Sequence, residues 1–480
     1  MGSIGNNGSA AVGESPVRRM SFTTTDPTKG AFFWLTAFFI VYCTRFQDFI
    51  PGFQYLPVAK VPVILALWGL FNALGKTKRS FKDMPPMANY LLYMILLLYI
   101  GAFSSPIWRG GAVTRTTDFS KIYICWVLIF LIVTTFDRLK RIIFIQAFSV
   151  TLVCIAVIIK GHDVPRLNQV LGGFYSNPND LAFAVVLSLP YALAFFVMSK
   201  KIPVKVFWFV AMLLMLSVIF LTASRAGFID LVCSYSVALY YVAIKGKRPM
   251  LIVASVLLGV VILSTVGGKL YSRFNALSGQ SATDMNAYGS YEDRKFLMIR
   301  AAEGIAHYPV FGLGARNFET YSGIWHEVHM TYLQICVEGG IPVLILYLMF
   351  FYRDFQNMFA LHRFKVLDPD IRLFAGALTA SQVGFVVGAL FSPEAYQFFP
   401  YFAAAFTATL LQTVNEQKAQ EGQAPAPSTV PSNKPRHFLE VYAQRGMIEP
   451  ITIDRNTTNQ ETAEHPPTDR GGPGSRTPVR

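Results

Sequence analysis

The chain has 480 residues, 53% of them hydrophobic and 15% charged, a balance that excludes a water-soluble globular enzyme of this length. Its net charge of +14 does not read as a nucleic-acid surface, because the basic residues fall in short runs between apolar stretches. The runs are KTKRSFK at 76–82, DRLKR at 137–141, KKIPVK at 200–205, KGKR at 245–248 and RFK at 363–365. Basic runs in every second connection form the positive-inside pattern, which puts these connections and both ends of the chain on the cytoplasmic side.

In chain order, residues 1–30 are rich in Gly, Ser, Asn and Thr and lack the apolar core of a secretory signal, so they are expected to be a disordered cytoplasmic leader. Apolar runs then recur near 31–44, 56–75, 87–104, 119–136, 141–160, 181–198, 202–222, 226–244, 249–267, 330–352, 371–391 and 396–414. Each is near the length needed to cross a hydrocarbon core of ~30 Å. Lipid offers no partner to an open backbone, so the expected fold is an all-α, polytopic transmembrane bundle of about twelve spans over residues 31–414. Residues 415–480, rich in Pro, Gln, Thr and Arg, are expected to be a mostly disordered cytoplasmic tail. Cys43, Cys125, Cys154, Cys233 and Cys336 lie in or beside apolar runs without metal-ligand spacing and read as small buried hydrophobes.

Connections on the other side carry the unusual residues. In GGFYSNPNDLAFAVV at 172–186, Asn179 or Asp180 is placed to cap the next helix. In LTASRAGFI at 221–229, Arg225 sits in a tight turn, a position that suits an arginine snorkelling to headgroups as well as a binding residue. The long connection 268–328 contains Arg294 and Arg300, and its apolar positions Phe296, Leu297, Ile299, Ile305 and Val310 predict an amphipathic surface helix over 291–307. YPVFGLGARNF follows as a Pro/Gly-shaped turn in which Gly312 and Gly314 permit close backbone approach.

The stretch HEVHMTYLQICVEGGIPVLILYLMF at 326–350 places His329 at the mouth of a span, with Glu338 nine residues later. On one helix that spacing puts the two on opposite faces, ~13 Å apart along the axis, so they form no dyad. Tyr332 and Cys336 share the His329 face. On position alone His329 reads as an interfacial residue, and Glu338 as a buried carboxylate hydrogen-bonded to a neighbouring helix.

Together and in order, GFYSNPNDLA at 173–182, LTASRAG at 221–227, EDRKFLMIRAA at 292–302, YPVFGLGARNF at 308–318 and HMTYLQICVEGGIP at 329–342 resemble the O-antigen ligase and polymerase superfamily of bacterial membrane glycosyltransferases. One position departs: Met330 stands where the family often has Asn. The resemblance implies an undecaprenyl-diphosphate-linked glycan donor, a glycan or lipid A-core acceptor, and an active site on the periplasmic face of the inner membrane. It implies Arg225 and Arg294 as diphosphate-binding residues, with Arg300 either beside the sugar or against headgroups, and His329 as the base. Asn179, Gly312, Gly314, Tyr332 and Glu338 would be supporting residues, and no cofactor or metal is expected. Guanidinium groups suit this chemistry because they match phosphate oxygens bidentately and stay cationic, while an imidazole titrates near ambient pH.

Two rivals remain at this level: a polymerase joining lipid-linked repeat units of exopolysaccharide or O-antigen, and a transporter without transferase chemistry. A transporter predicts ionisable residues lining a path at mid-span, for which Lys60, Asp230 and Glu338 are the candidates. A non-catalytic scaffold using the two chain ends leaves the outer arginines unexplained.

Overall fold

The structure is a computed structural model that describes residues 26–48, 56–163, 167, 169–266 and 284–423. The expected leader up to residue 25, most of the tail, and 267–283 of the long connection lie outside the described residues. The chain divides into two units, Met1–Ala419 and Gln420–Arg480, and of the second only 420–423 are described.

Among the described residues all regular structure is helical. The helices are α1 (Lys29–Thr44), α2 (Lys60–Ala73), α3 (Pro86–Phe103), α4 (Arg109–Ile132), α5 (Phe136–Lys160), α6 (Pro178–Met198), α7 (Ile202–Leu221) and α8 (Arg225–Leu239). After them come α9 (Met250–Val266), α10 (Asp284–His307), α11 (Phe318–Ser322), α12 (Thr331–Gly339), α13 (Ile341–Arg363), α14 (Pro369–Gly388) and α15 (Phe398–Gln423). Six are long and apolar enough to cross a membrane: α3, α5, α6, α7, α14, and α8 continued through the π-helical turn Tyr240–Ile244. Shorter apolar helices are α1, α2 and the 250–261 part of α9. Length and apolarity thus identify six spans where hydropathy predicts about twelve; α4 begins with Arg109, Arg115, Asp118 and Lys121, and α13 carries Arg353 and Asp354.

Local chemistry sets the helix starts. Pro178 and Pro369 occupy first-turn positions where no backbone N–H is needed, and Asn177, Ser224 and Asp368 accept hydrogen bonds from the backbone two or three residues on. Asn177 is therefore the cap of α6, a role the sequence assigned to Asn179 or Asp180; the helix begins two or three residues earlier than those caps imply, at Pro178, and Asn179 Oδ1 instead accepts from Ser224 Oγ.

Helix α6 is central, with 83% of its apolar window buried, whereas α8 has 39% buried and turns much of its surface outward. Small residues let these helices touch: a Cβ on Gly227 would lie 2.7 Å from Ala182 Cβ, and one on Gly384 would lie 2.9 Å from Ser234 Cβ. Lipid tails are as apolar as the side chains, so such close van der Waals contact carries much of the helix association.

Polar ties sort the connections into two ends. At one, the buried guanidinium of Arg79 donates to the carbonyls of Phe130 (3.1 Å) and Val133 (2.8 Å), to Thr413 Oγ1 (2.8 Å) and to Glu416 (2.7 Å). At the other, Ser224 Oγ donates to Asn179 Oδ1 (2.8 Å), and the backbone N–H of Thr331 donates to the Ala389 carbonyl (2.8 Å). This second end gathers the N-termini of α6, α8 and α12.

The span expected at 330–352 is two helices. The chain breaks at Gly340, whose φ of 84° suits glycine, and Pro342 lacks the N–H that would continue the ladder. The carbonyls so released are taken by the connection before α11: Leu313 N–H donates to Val337 O and Gly314 N–H to Glu338 O, both at 2.9 Å, while Ile341 N–H donates to Pro309 O at 2.8 Å. Hydrophobic contact completes the seating. Leu297, Ala301, Leu313, Phe318, Val328 and Val337 form a second small core beside the main one.

Candidate functional site

The site is built from the connection between α9 and α12 upward. Helix α10 covers the predicted 291–307 helix and starts earlier, at Asp284. Its buried stripe is Leu297 and Ala301, with Ile305 packed beside them, whereas Phe296, Ile299 and Val310 are exposed. Phe296 and Ile299 therefore do not face protein, because the helix docks on α12 through the i, i+4, i+8 row, and Val310 lies beyond the helix end at His307.

Gly312 and Gly314 have φ of 65° and 89°, and a Cβ on Gly312 would stand 2.4 Å from the Glu338 carbonyl. The close approach expected of Gly312 is thus to the backbone at the end of α12, whereas a Cβ on Gly314 would stand 2.9 Å from Ala112 Cβ of α4. The same connection is fixed from behind, where Asn317 Nδ2 donates to Ser105 Oγ (2.7 Å), the Trp108 carbonyl (3.1 Å) and the Leu313 carbonyl (2.9 Å).

His329 precedes α12 and is followed by Met330 in an extended conformation, φ −156° and ψ 113°. The helical spacing predicted between His329 and either Tyr332 or Glu338 does not apply, since the helix begins only at Thr331. The imidazole is half-buried, and its Nδ1 has no hydrogen-bond partner among the described residues. Burial, then the charge of Arg294, lower its pKa to about 4, with His326 acting the same way and Asp293 opposing. The imidazole is therefore neutral at neutral pH, and Arg294 lies close enough to bear on it.

Arg225 is the first residue of α8, directly after the Ser224 cap that bonds Asn179. Its Nη1 is buried without a hydrogen-bond partner among the described residues. Arg300 is already engaged: Nη1 meets Glu303 Oε2 at 2.5 Å, Nη2 donates to the Tyr321 carbonyl at 3.1 Å, and the group stacks 4.6 Å from the Tyr321 ring centre. Tyr332 donates to the Val386 carbonyl at 3.1 Å, and buried Glu338 accepts from Tyr396 at 2.7 Å. Glu338 is thus the buried, hydrogen-bonded carboxylate expected, although its partner precedes α15 rather than lying on a helix.

Three residues here escaped the sequence reading. Arg115 of α4 lies 5.0 Å from the Tyr396 ring centre, and its Nε is buried without a hydrogen-bond partner among the described residues. Glu394 is buried in the turn between α14 and α15, accepts from Ser392 Oγ at 2.8 Å, and has its carboxyl within bonding reach of that of Asp180. Glu327, two residues before His329, bonds Glu319 carboxyl to carboxyl and also faces Arg115 and Glu338. Burial, then the charge of Glu338, raise the pKa of Glu327 to about 8; burial and the charge of Asp180 push Glu394 well up. Glu327 therefore keeps its proton at neutral pH and does not cancel the positive charge of the neighbouring Arg115. Among the described residues no cluster of His, Cys, Asp or Glu is arranged to hold a metal ion.

Residues 210–348 match the family model described as O-antigen ligase. The matched segment contains Arg225, Arg294, Arg300 and His329, while Asn179, Arg115 and Glu394 lie outside it. No curated protein matches the chain.

Proposed function

We propose that this chain, with its O-antigen ligase domain at residues 210–348, is a membrane glycosyltransferase that moves a glycan from an undecaprenyl-diphosphate carrier to an acceptor hydroxyl. The reaction would run at the periplasmic face of the bacterial inner membrane, with the basic runs and both chain ends in the cytoplasm. What supports the reading is a half-buried imidazole, His329, close enough to Arg294 to feel its charge, at the end of the bundle where α6, α8 and α12 begin.

The acceptor oxygen attacks the anomeric carbon as the bond from that carbon to the carrier's diphosphate oxygen breaks. His329 takes the acceptor's proton while the new glycosidic bond forms. Charge grows on the departing diphosphate, and Arg225 and Arg294 supply fixed counter-charge there. Arg225 stands at a helix N-terminus, where backbone N–H groups add to the attraction for an anion. Arg300, held by Glu303 and Tyr321, braces α10 against α11 so that Arg294 keeps its position. Asn179 fixes the α8 cap, and Gly312 and Gly314 hold the connection over the site.

The test is turnover of a lipid-linked repeat unit by purified protein, with and without a lipid A-core acceptor. Transfer to the core is expected, and Arg225→Ala and Arg294→Ala should each lower kcat/KM about 100-fold. Lengthened lipid-linked chains without core would assign the protein as a polymerase instead. Undiminished transfer in Arg225→Ala, Arg294→Ala and His329→Ala, each well expressed, would reject transferase chemistry at this site.

A further inference from the structure

The segment 323–330 between α11 and α12 contains His329, and four residues before it a large side chain that the reaction as described leaves unused. Trp325 is 72% exposed with a φ of 55°, and of the non-glycine residues with positive φ among the described residues it alone is aromatic. A bulky residue adopts the left-handed region only where its surroundings impose it. Here both sides do. Before it, Gly323 turns the chain with a φ of 81° and the Ile324 N–H donates to Ser322 Oγ at 3.3 Å; after it, His326 Nδ1–H donates to the Ile324 carbonyl at 2.7 Å. The turn lies beside the imidazole, since the charge of His326 bears on His329. Other exposed tryptophans are differently placed: Trp68 stacks on Phe71 of its own helix, and Trp108 lies across Gly111, where a Cβ would meet its ring at 2.2 Å. Trp325 forms no aromatic pair and no hydrogen bond among the described residues, which leaves its indole open to solvent.

We infer that Trp325 is a stacking platform for a pyranose ring of the acceptor glycan. The inference rests on the transferase reading and adds its acceptor side. One face of a pyranose presents C–H groups, apolar and slightly positive, and the face of an indole is apolar and negative, so the two attract in water. An aromatic side chain that anchors a protein among headgroups needs no fixed direction. A platform must instead hold its face at one angle to the reacting group, and a backbone locked on both sides supplies that. Four residues span at most about 14 Å, so indole and imidazole lie within reach of one short oligosaccharide. The donor's diphosphate falls to Arg225 and Arg294, which leaves the segment bearing the base to the molecule that gives up a proton there.

The test measures binding apart from turnover. Core oligosaccharide freed of lipid A is titrated against the full-length protein in nanodiscs. Binding is expected, and Trp325→Ala should weaken it about fivefold, equivalent to about 1 kcal/mol. Trp325→Tyr, which keeps a ring face, should restore most of the affinity, and Trp325→Leu, which keeps apolar bulk alone, should not. Trp325→Asn suits the left-handed backbone and serves if the Ala or Leu variant fails to fold, with the same loss expected. In turnover with a lipid A-core acceptor, the acceptor's KM should rise by the same factor and the donor's should not. The platform's assignment is overturned by core binding that is absent in the unaltered protein or indifferent to Trp325→Ala and Trp325→Asn, and by a KM rise confined to the donor. Full affinity in Trp325→Leu overturns it as well and leaves Trp325 a headgroup anchor. If core binding follows the expected pattern while the purified protein turns over no donor, the transferase reading fails and the platform stands.

Discussion

At the scale of single residues, the site sets an imidazole and a buried acid, Glu327, beside positive charge, and two pH effects follow. If His329 is the base, kcat/KM should keep its value down to about pH 4 and fall below it, because burial and Arg294 hold the imidazole neutral above that pH. An acid limb near 6.5, the ordinary histidine value, would place the proton acceptor elsewhere. His329→Ala should cost about 100-fold in kcat. Glu327 gives the opposite limb. The folded protein holds its proton up to about pH 8, so ionisation above that pH adds a negative charge facing Arg115, Glu338, Glu319 and Glu394. Donor KM should rise above pH 8, and Glu327→Gln should flatten that rise. Arg225, Arg294 and His329 were singled out through the family resemblance, since on position alone Arg225 suits headgroups as well as a site and His329 reads as an interfacial residue. Arg115 and Glu394 were not, since Arg115 reads as an ordinary span mouth and its partner Tyr396 is far away along the chain.

At the scale of elements, the break at Gly340 and the connection docked into it are one device. Gly312→Ala would force both a positive φ on alanine and a 2.4 Å contact with Glu338, and should destabilise the docked connection by about 1–3 kcal/mol. Limited proteolysis of 308–316 would report it, with faster cleavage expected than in the unaltered protein. Glu338→Ala strands the buried Tyr396 hydroxyl and should cost about 1–3 kcal/mol in thermal unfolding, whereas Glu338→Gln keeps an acceptor and should cost less. Helix positions were largely readable from hydropathy, but span ten was read as continuous because an apolar window averages across Gly339, Gly340, Ile341 and Pro342. The Gly-then-Pro order there is a stop-and-start signal, and it marks the end of α12 and the start of α13.

At the scale of the whole molecule, the strongest polar fastening lies at the end opposite the site. Arg79 was read only as one member of a basic run, yet its side chain is 1% exposed and joins the α2–α3 connection to α4 and α15. Arg79→Ala should lower stability by about 3 kcal/mol, since two carbonyls and a carboxylate lose a buried donor, although Lys78 still pairs with Glu416. The sequence signals topology through charge but cannot distinguish a headgroup arginine from a structural one, because that depends on which helix ends fold over it.

Thr331 has a part in how His329 can move. Its hydroxyl donates to the Ser392 carbonyl at 2.7 Å and accepts from the Glu394 backbone at 2.9 Å, while its own N–H is held by Ala389. Two residues from the imidazole, the chain is stitched to the hinge between α14 and α15. His329 therefore has little freedom to travel toward a substrate. If His329 is the base, an incoming hydroxyl has to come to the imidazole, from a direction set by the seam between α14 and α15.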